Sequence, residues 1–294
     1  MSNRIKVLAA LLAVYVFWGG TYLGIRFAVE TLPPFLMAGV RFLTAGLAVF
    51  SYCLVKGKER PTRAHWRDAG IVAALLLLGG NGLVTWSEQR VPSSIAALLV
   101  ATVPLWMILL GSMAKDAPRP SRVTLAGILL GFAGIVVLVA PTGAGGRLDL
   151  LGIGALLVAS CLWSLGSLYS RRARVPASPL LSVSLQMIAG GALMLLAGTL
   201  FGEWARVDVA RISARSLWGM GYLVLFGSIL AYNCYIWVLK HADPVWVSTY
   251  AFVNPLVAVF LGWLLANEQL TTRSVWATAI ILLAVVIITV DKKR

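Results

Sequence analysis

Residues 277–290 read Ala-Thr-Ala-Ile-Ile-Leu-Leu-Ala-Val-Val-Ile-Ile-Thr-Val. Only two threonines interrupt the apolar run, and a threonine hydroxyl can bond to its own helix. A membrane barrel strand alternates apolar and polar residues. This stretch does not alternate, and neither does Leu75–Leu78, so both read as parts of membrane helices. The rest of the chain agrees. Of 294 residues, 60% are hydrophobic and 12% are charged, and the mean hydropathy is +0.87. A soluble domain carries about 25% charged residues. This chain lacks the polar side chains to cover a water-facing surface, so the fold class is an all-α polytopic membrane protein. Ten spans of about 20 residues use about 200 residues. The remainder suffices for loops and tails, not for a soluble domain.

The hydropathy predicts ten helices: Val7–Phe27, Pro34–Val55, Ala69–Trp86, Ser93–Met113, Val123–Ala140, Leu150–Ser170, Pro179–Phe201, Leu217–Leu239, Trp246–Ala266 and Val275–Val290. The first is too long for a signal-peptide core and has no cleavage site, so it reads as a retained span. Of the 25 lysines and arginines, 17 fall on one side, from Arg4 and Lys6 to Lys292–Arg294. Six fall on the other, and Arg26 and Arg41 lie within spans. The positive-inside rule puts the richer side, with both termini, in the cytoplasm. The net charge of +14 is then explained by orientation and by attraction to anionic lipid headgroups. Nucleic acid is an unnecessary partner. Cys53, Cys161 and Cys234 are an odd, widely spaced set within apolar segments, which fits packing and not a disulfide framework or metal site.

The chain repeats itself. Trp18 and Trp163 are 145 residues apart, and Pro34 with Pro179 keeps that offset, as does Arg41 with Gln186. Trp86 and Trp237 are 151 apart, as are Pro104 and Pro255. The predicted units are residues 7–140 and 150–290, each of five helices. Five is odd, so the second unit enters the membrane from the opposite side. Such inverted-topology repeats allow two halves to rock around a midplane site. The molecule reads as an internal pseudo-dimer that acts as a monomer.

Several stretches carry a resemblance: Phe17-Trp18-Gly19-Gly20, Pro33-Pro34 with Arg41-Phe42, Asn254-Pro255-Leu256, and Ala266-Asn267-Glu268-Gln269-Leu270-Thr271. The last is a variant of Gly-Glu-x-Leu-Thr, with Asn267 in place of the glycine. Over residues 7–290 the chain resembles the drug/metabolite transporter superfamily in its ten-helix EamA-type branch. The resemblance implies proton-linked or facilitated export of small metabolites from the bacterial cytoplasm. Amino acids come foremost, as in the YddG-like branch.

Trp18 and Trp163 sit near mid-depth, although tryptophan prefers the interfaces. They either face a central cavity and stack on substrate or pack beside Gly19 and Gly20. Trp86 and Trp237 lie near helix ends and read as gates or as an aromatic belt. Pro104 and Pro255 remove helix hydrogen bonds and kink their spans. Asn81, Asn233 and Asn254 need partners that a wet cavity or a neighbouring helix would supply. Tyr22, Tyr232 and Tyr250 add hydroxyls suited to an amino or carboxylate group. Arg41, with Arg26, Glu30 and Glu88, suggests a charge network closing the outer mouth. Snorkelling to the headgroups is the other reading of Arg41.

No acid is expected at mid-depth, which disfavours an organic-cation exporter. Neutral or zwitterionic substrates fit; nucleosides and sugars remain open, as do proton-coupled and facilitative mechanisms. An enzyme would need a nucleophile with a base, paired aspartates or clustered His and Glu. His65 and His241 fall in loops, and no HExxH or Walker A stretch exists. The sequence therefore predicts no catalytic residues, no metal and no cofactor. A receptor would carry an effector region, and the predicted tail is only Asp291–Arg294.

Overall fold

The computed structural model describes residues 3–113, 121–139, 149–241 and 250–291. Among them there is no strand. The helical segments are α1 (Asn3–Ala28), α2 (Pro34–Val55), α3 (Arg63–Ser87), α4 (Ser93–Ser112), α5 (Arg122–Val139), α6 (Leu150–Ser170) and α7 (Pro179–Leu200). Three follow: α8 from Ala214 to His241, α9 (Tyr250–Ala266) and α10 (Thr272–Asp291). Seven helices among the described residues are long and apolar enough to cross a membrane: α1–α4 and α6–α8. Shorter apolar helices cover Arg122–Val137, Val253–Ala266 and Thr272–Ala284. Large apolar side chains such as Leu129, Val136, Leu200 and Trp276 lie exposed on the outside, where lipid tails would meet them. The predicted end of the fifth span with the loop after it, residues 140–148, and the predicted start of the ninth, residues 246–249, lie outside the described residues.

Local chemistry sets the helix starts. Pro34 and Pro179 occupy the first turn of α2 and α7, where a missing N–H costs nothing. Asp149 caps α6 through the Gly152 N–H at 2.9 Å and pairs with Arg90 at 2.8 Å. The Gly152 amide, then Arg90, holds the Asp149 carboxyl below the usual carboxylate range.

Two helix pairs run antiparallel. Gly39 faces Leu195, Leu43 faces Gly191 and Gly46 faces Ile188, so α2 and α7 ascend in opposite directions. A Cβ on Gly191 would lie 2.6 Å from the Leu43 nitrogen, so only glycine admits this approach. Likewise Gly131 faces Ala284 and Gly134 faces Ile281 between α5 and α10. Small residues at such crossings replace the hydrophobic drive that lipid removes.

Carboxylates tie helix ends together. Glu203, fully buried after α7, accepts from the Leu36 N–H at 2.9 Å at the start of α2. Glu59, after α2, accepts from the Ala177 and Ser178 N–H groups before α7. Glu268, after α9, takes Ser93 N at 2.8 Å, Ser93 Oγ at 2.7 Å and Ser94 N at 3.0 Å at the start of α4. Glu203 and Glu268 place negative charge on unsatisfied helix N–H groups, and Glu59 does so on the amides just before α7. The turn that aims Glu268 needs a left-handed residue, and Asn267 supplies it at φ 53°. Asparagine tolerates that conformation better than other non-glycine residues, which explains the replacement of glycine in this motif.

Candidate functional site

The backbone departs from α-helical winding where a cavity opens. Residues Ala74–Gly82 of α3 and Leu223–Ala231 of α8 are π-helical. Each is nine residues long, and their starts are 149 residues apart. Such segments misalign carbonyls and cluster at functional sites. In α4 the helix breaks at Ala101–Thr102, ahead of Pro104. Carbonyls at the break are taken up by α6: Ser160 donates to Leu99 O at 3.3 Å, and Ser164 to Val103 O at 3.1 Å. Pro255 lies inside α9.

Between these segments lies a cavity of about 100 Å³. Its wall combines Trp18, Thr21 and Tyr22 of α1 with Arg41 and Phe42 of α2. Asn81, Trp163, Gly227 and Tyr232 add to it, as do Tyr250, Asn254 and Pro255. Trp18 donates to the Gly227 carbonyl at 3.1 Å, on the π-helical part of α8. Trp163 lies against Gly80, on the π-helical part of α3; a Cβ there would be 2.8 Å from its ring. Each tryptophan thus seats against a wound-out segment from the other half of the chain.

Toward one end the Trp18 ring meets Tyr235 at 4.8 Å, Tyr250 at 5.5 Å and Tyr232 at 6.2 Å. The Tyr232 hydroxyl donates to Gln186 Oε1 at 2.8 Å. With its amide nitrogen turned toward them, Asn254 donates to the Tyr15 and Tyr250 carbonyls, each at 3.2 Å. The Thr85 hydroxyl donates to the backbone carbonyl of Asn81 at 2.8 Å.

Other residues singled out from the sequence lie elsewhere. Trp86 packs under Arg90, whose guanidinium is 4.6 Å from its ring. Asn233 donates to the Ile229 carbonyl of its own helix. With Trp237 it lines a second cavity of about 760 Å³, alongside Lys58, Glu59, Ser178 and His241. Trp237 stacks on His241 at 4.3 Å. These three residues therefore do not join the central wall. Pro104 shapes the break but is not in the wall either.

Of the expected charge network, Arg26 and Arg41 both lie within electrostatic range of Glu88, but no side-chain ion pair joins them. Arg26 donates to the backbone carbonyl of Glu88 at 2.6 Å. Glu30 pairs with Arg215 at 3.3 Å. Arg41 Nε donates to Ser228 Oγ at 2.9 Å, and its guanidinium sits 4.6 Å from the Phe42 ring. No carboxylate oxygen among the described residues lies within 4 Å of an Arg41 nitrogen. Glu88 is fully buried, and both its oxygens lack a hydrogen-bond partner there. Sequence reasoning missed the π-helical segments and the partners of Gln186 and Glu268. Gly79-Gly80 and Gly227-Ser228 inside apolar spans were the available signal.

The model of the EamA-like transporter family matches residues 5–140 and again 150–290. The chain belongs to the EamA-like transporter family. The uncharacterised inner membrane transporter YedA of Escherichia coli K12 is 38% identical over 291 residues, covering 98% of this chain and 92% of its own. The uncharacterised transporter YoaV of Bacillus subtilis is 22% identical over 279 residues, 94% of each chain. A solved crystal structure, 21% identical, superposes with a TM-score of 0.68 over 100% of this chain and 99% of its own, which speaks to the fold. Family and spans together make this EamA-like protein a multi-pass inner-membrane transporter.

Proposed function

We propose that the protein exports small neutral or zwitterionic metabolites, amino acids foremost, by alternating access around the central cavity. All ten helices cross the membrane as two inverted five-helix repeats with both termini in the cytoplasm, and one chain suffices for transport. The observation that carries this reading is the pairing of Trp18 and Trp163 in one wall, each against a π-helical segment of the opposite half. The antiparallel α2–α7 and α5–α10 crossings are what halves of opposite orientation would make. Aromatic rings with amide and hydroxyl groups suit a small amphiphilic solute. Organic cations fit less well, because the described wall holds Arg41 and no acid.

The test is counterflow of labelled amino acids, nucleosides and amines into proteoliposomes containing the purified protein. Accelerated exchange of amino acids is expected; exchange restricted to nucleosides or amines would overturn the substrate assignment. Cysteine labelling should find residues 56–68 on the cytoplasmic side and residues 202–216 outside. The reverse pattern would overturn the orientation.

A further inference from the structure

Arg41 is 3% exposed, so it does not snorkel to the membrane surface. It lines the central cavity. Ser228 takes Nε and Phe42 lies against the guanidinium, which fixes the side chain in place. Nη1 is buried and has no hydrogen-bond partner among the described residues. Two of the acids that might have served are otherwise placed. Glu30 holds Arg215 and Glu268 holds the start of α4. Glu88 is close enough to act on Arg41 electrostatically, but it makes no ion pair with it within 4 Å and does not line the cavity.

Gln186, the counterpart of Arg41 on α7, is neutral and bonded to Tyr232 and Ser182. A buried cation held on one side and unanswered on the other is costly unless a ligand answers it. A guanidinium presents a planar fork that matches a carboxylate. Among the described lining residues Arg41 is the one cation, which suits a monoanion better than a phosphate dianion.

We propose that Arg41 is the anion-binding pole of the central cavity and that the transported molecule carries a carboxylate, bound through Nη1. The proposal rests on the transport reading of this cavity and narrows its substrate class. In a zwitterion the carboxylate takes Arg41, while the aromatic wall of Trp18, Trp163 and Tyr232 takes the side chain.

The test uses four compounds sharing one ring: L-phenylalanine, 3-phenylpropionate, 2-phenylethylamine and L-phenylalanine amide. Binding to the purified full-length protein is read by thermal stabilisation, and transport by proteoliposome flux. The two carboxylates should bind at least about tenfold more tightly than the amine and the amide, the size expected of a charged hydrogen bond. Arg41→Gln should erase that preference, and Arg41→Lys should keep part of it. Where Arg41→Gln does not fold, the ranking on the native protein and the lysine variant decide. Equal binding of all four, tighter binding of the amine, or no binding of either carboxylate would overturn the proposal. Flux of 3-phenylpropionate without flux of L-phenylalanine would leave Arg41 as the anion pole and remove the amino-acid assignment. Equal flux of L-phenylalanine and its amide would do the opposite.

Discussion

Arg41 and Gln186 stand at matched places, each on the eighth residue of its helix, α2 or α7. Both helices begin with proline in the first turn, and the two pack antiparallel through glycines. Both side chains reach α8. There the likeness ends. Gln186 accepts from Tyr232 at 2.8 Å and donates to Ser182 at 3.4 Å, which closes its bonding. Arg41 bonds Ser228 and leaves Nη1 without a partner beside the cavity. A duplicated backbone thus carries unlike chemistry at its two poles. The satisfied amide is a structural link, and the unsatisfied cation is the proposed site. On the proposed transport reading, the paired halves would rock while the single charge gives the solute one orientation.

The largest effect expected is from Arg41→Gln, which makes the two poles chemically alike. Carboxylate transport should fall about ten- to hundredfold, the loss of one charged hydrogen bond to a desolvated partner. Flux assays on variant and native protein at matched reconstitution measure it. A loss no greater than that of Gln186→Ala would end the distinction between the poles.

Next come the tryptophans, where the halves also differ. Trp18 combines a hydrogen bond to Gly227 with three tyrosine contacts. Trp18→Ala should lower flux about tenfold, from the summed loss of that bond and of aromatic pairs. Trp163→Ala should lower it less. Equal flux in both variants and the native protein would assign the pair to packing.

Gln186→Ala should be mild, two- to threefold in flux and about 1 kcal/mol in stability, because it removes one neutral acceptor from the Tyr232 hydroxyl. Denaturation in detergent reads the second quantity. A larger loss than from Arg41→Gln would reverse the comparison.

The smallest expected quantity is the coupling between Arg41 and Glu88. They share no ion pair in this structure. A double-mutant cycle on flux should therefore give less than about 1 kcal/mol, and reversing the charges at both positions should not restore transport. Strong coupling would mean that the two meet in another state of the transport cycle.

The sequence by itself determined the helices, their approximate ends and the doubled Trp and Pro spacings. Those properties are local: unbroken apolar runs leave the backbone no bonding partner in lipid except itself, so they become helices wherever they lie. Proline at the first turn of α2 and α7 is equally local. Two helices that wind wide at the same relative place, Ala74–Gly82 and Leu223–Ala231, were not legible in the apolar pattern, which tolerates either winding and left only the embedded glycines as a signal. Nor were the partners of the polar groups. Glu268 finds the start of α4 at a separation of 175 residues, and Arg41 finds Ser228 at 187. In lipid no gradient of hydrophobicity selects one neighbouring helix over another. Small-residue contacts and hydrogen bonds across helices do that, and they exist only once the helices have met.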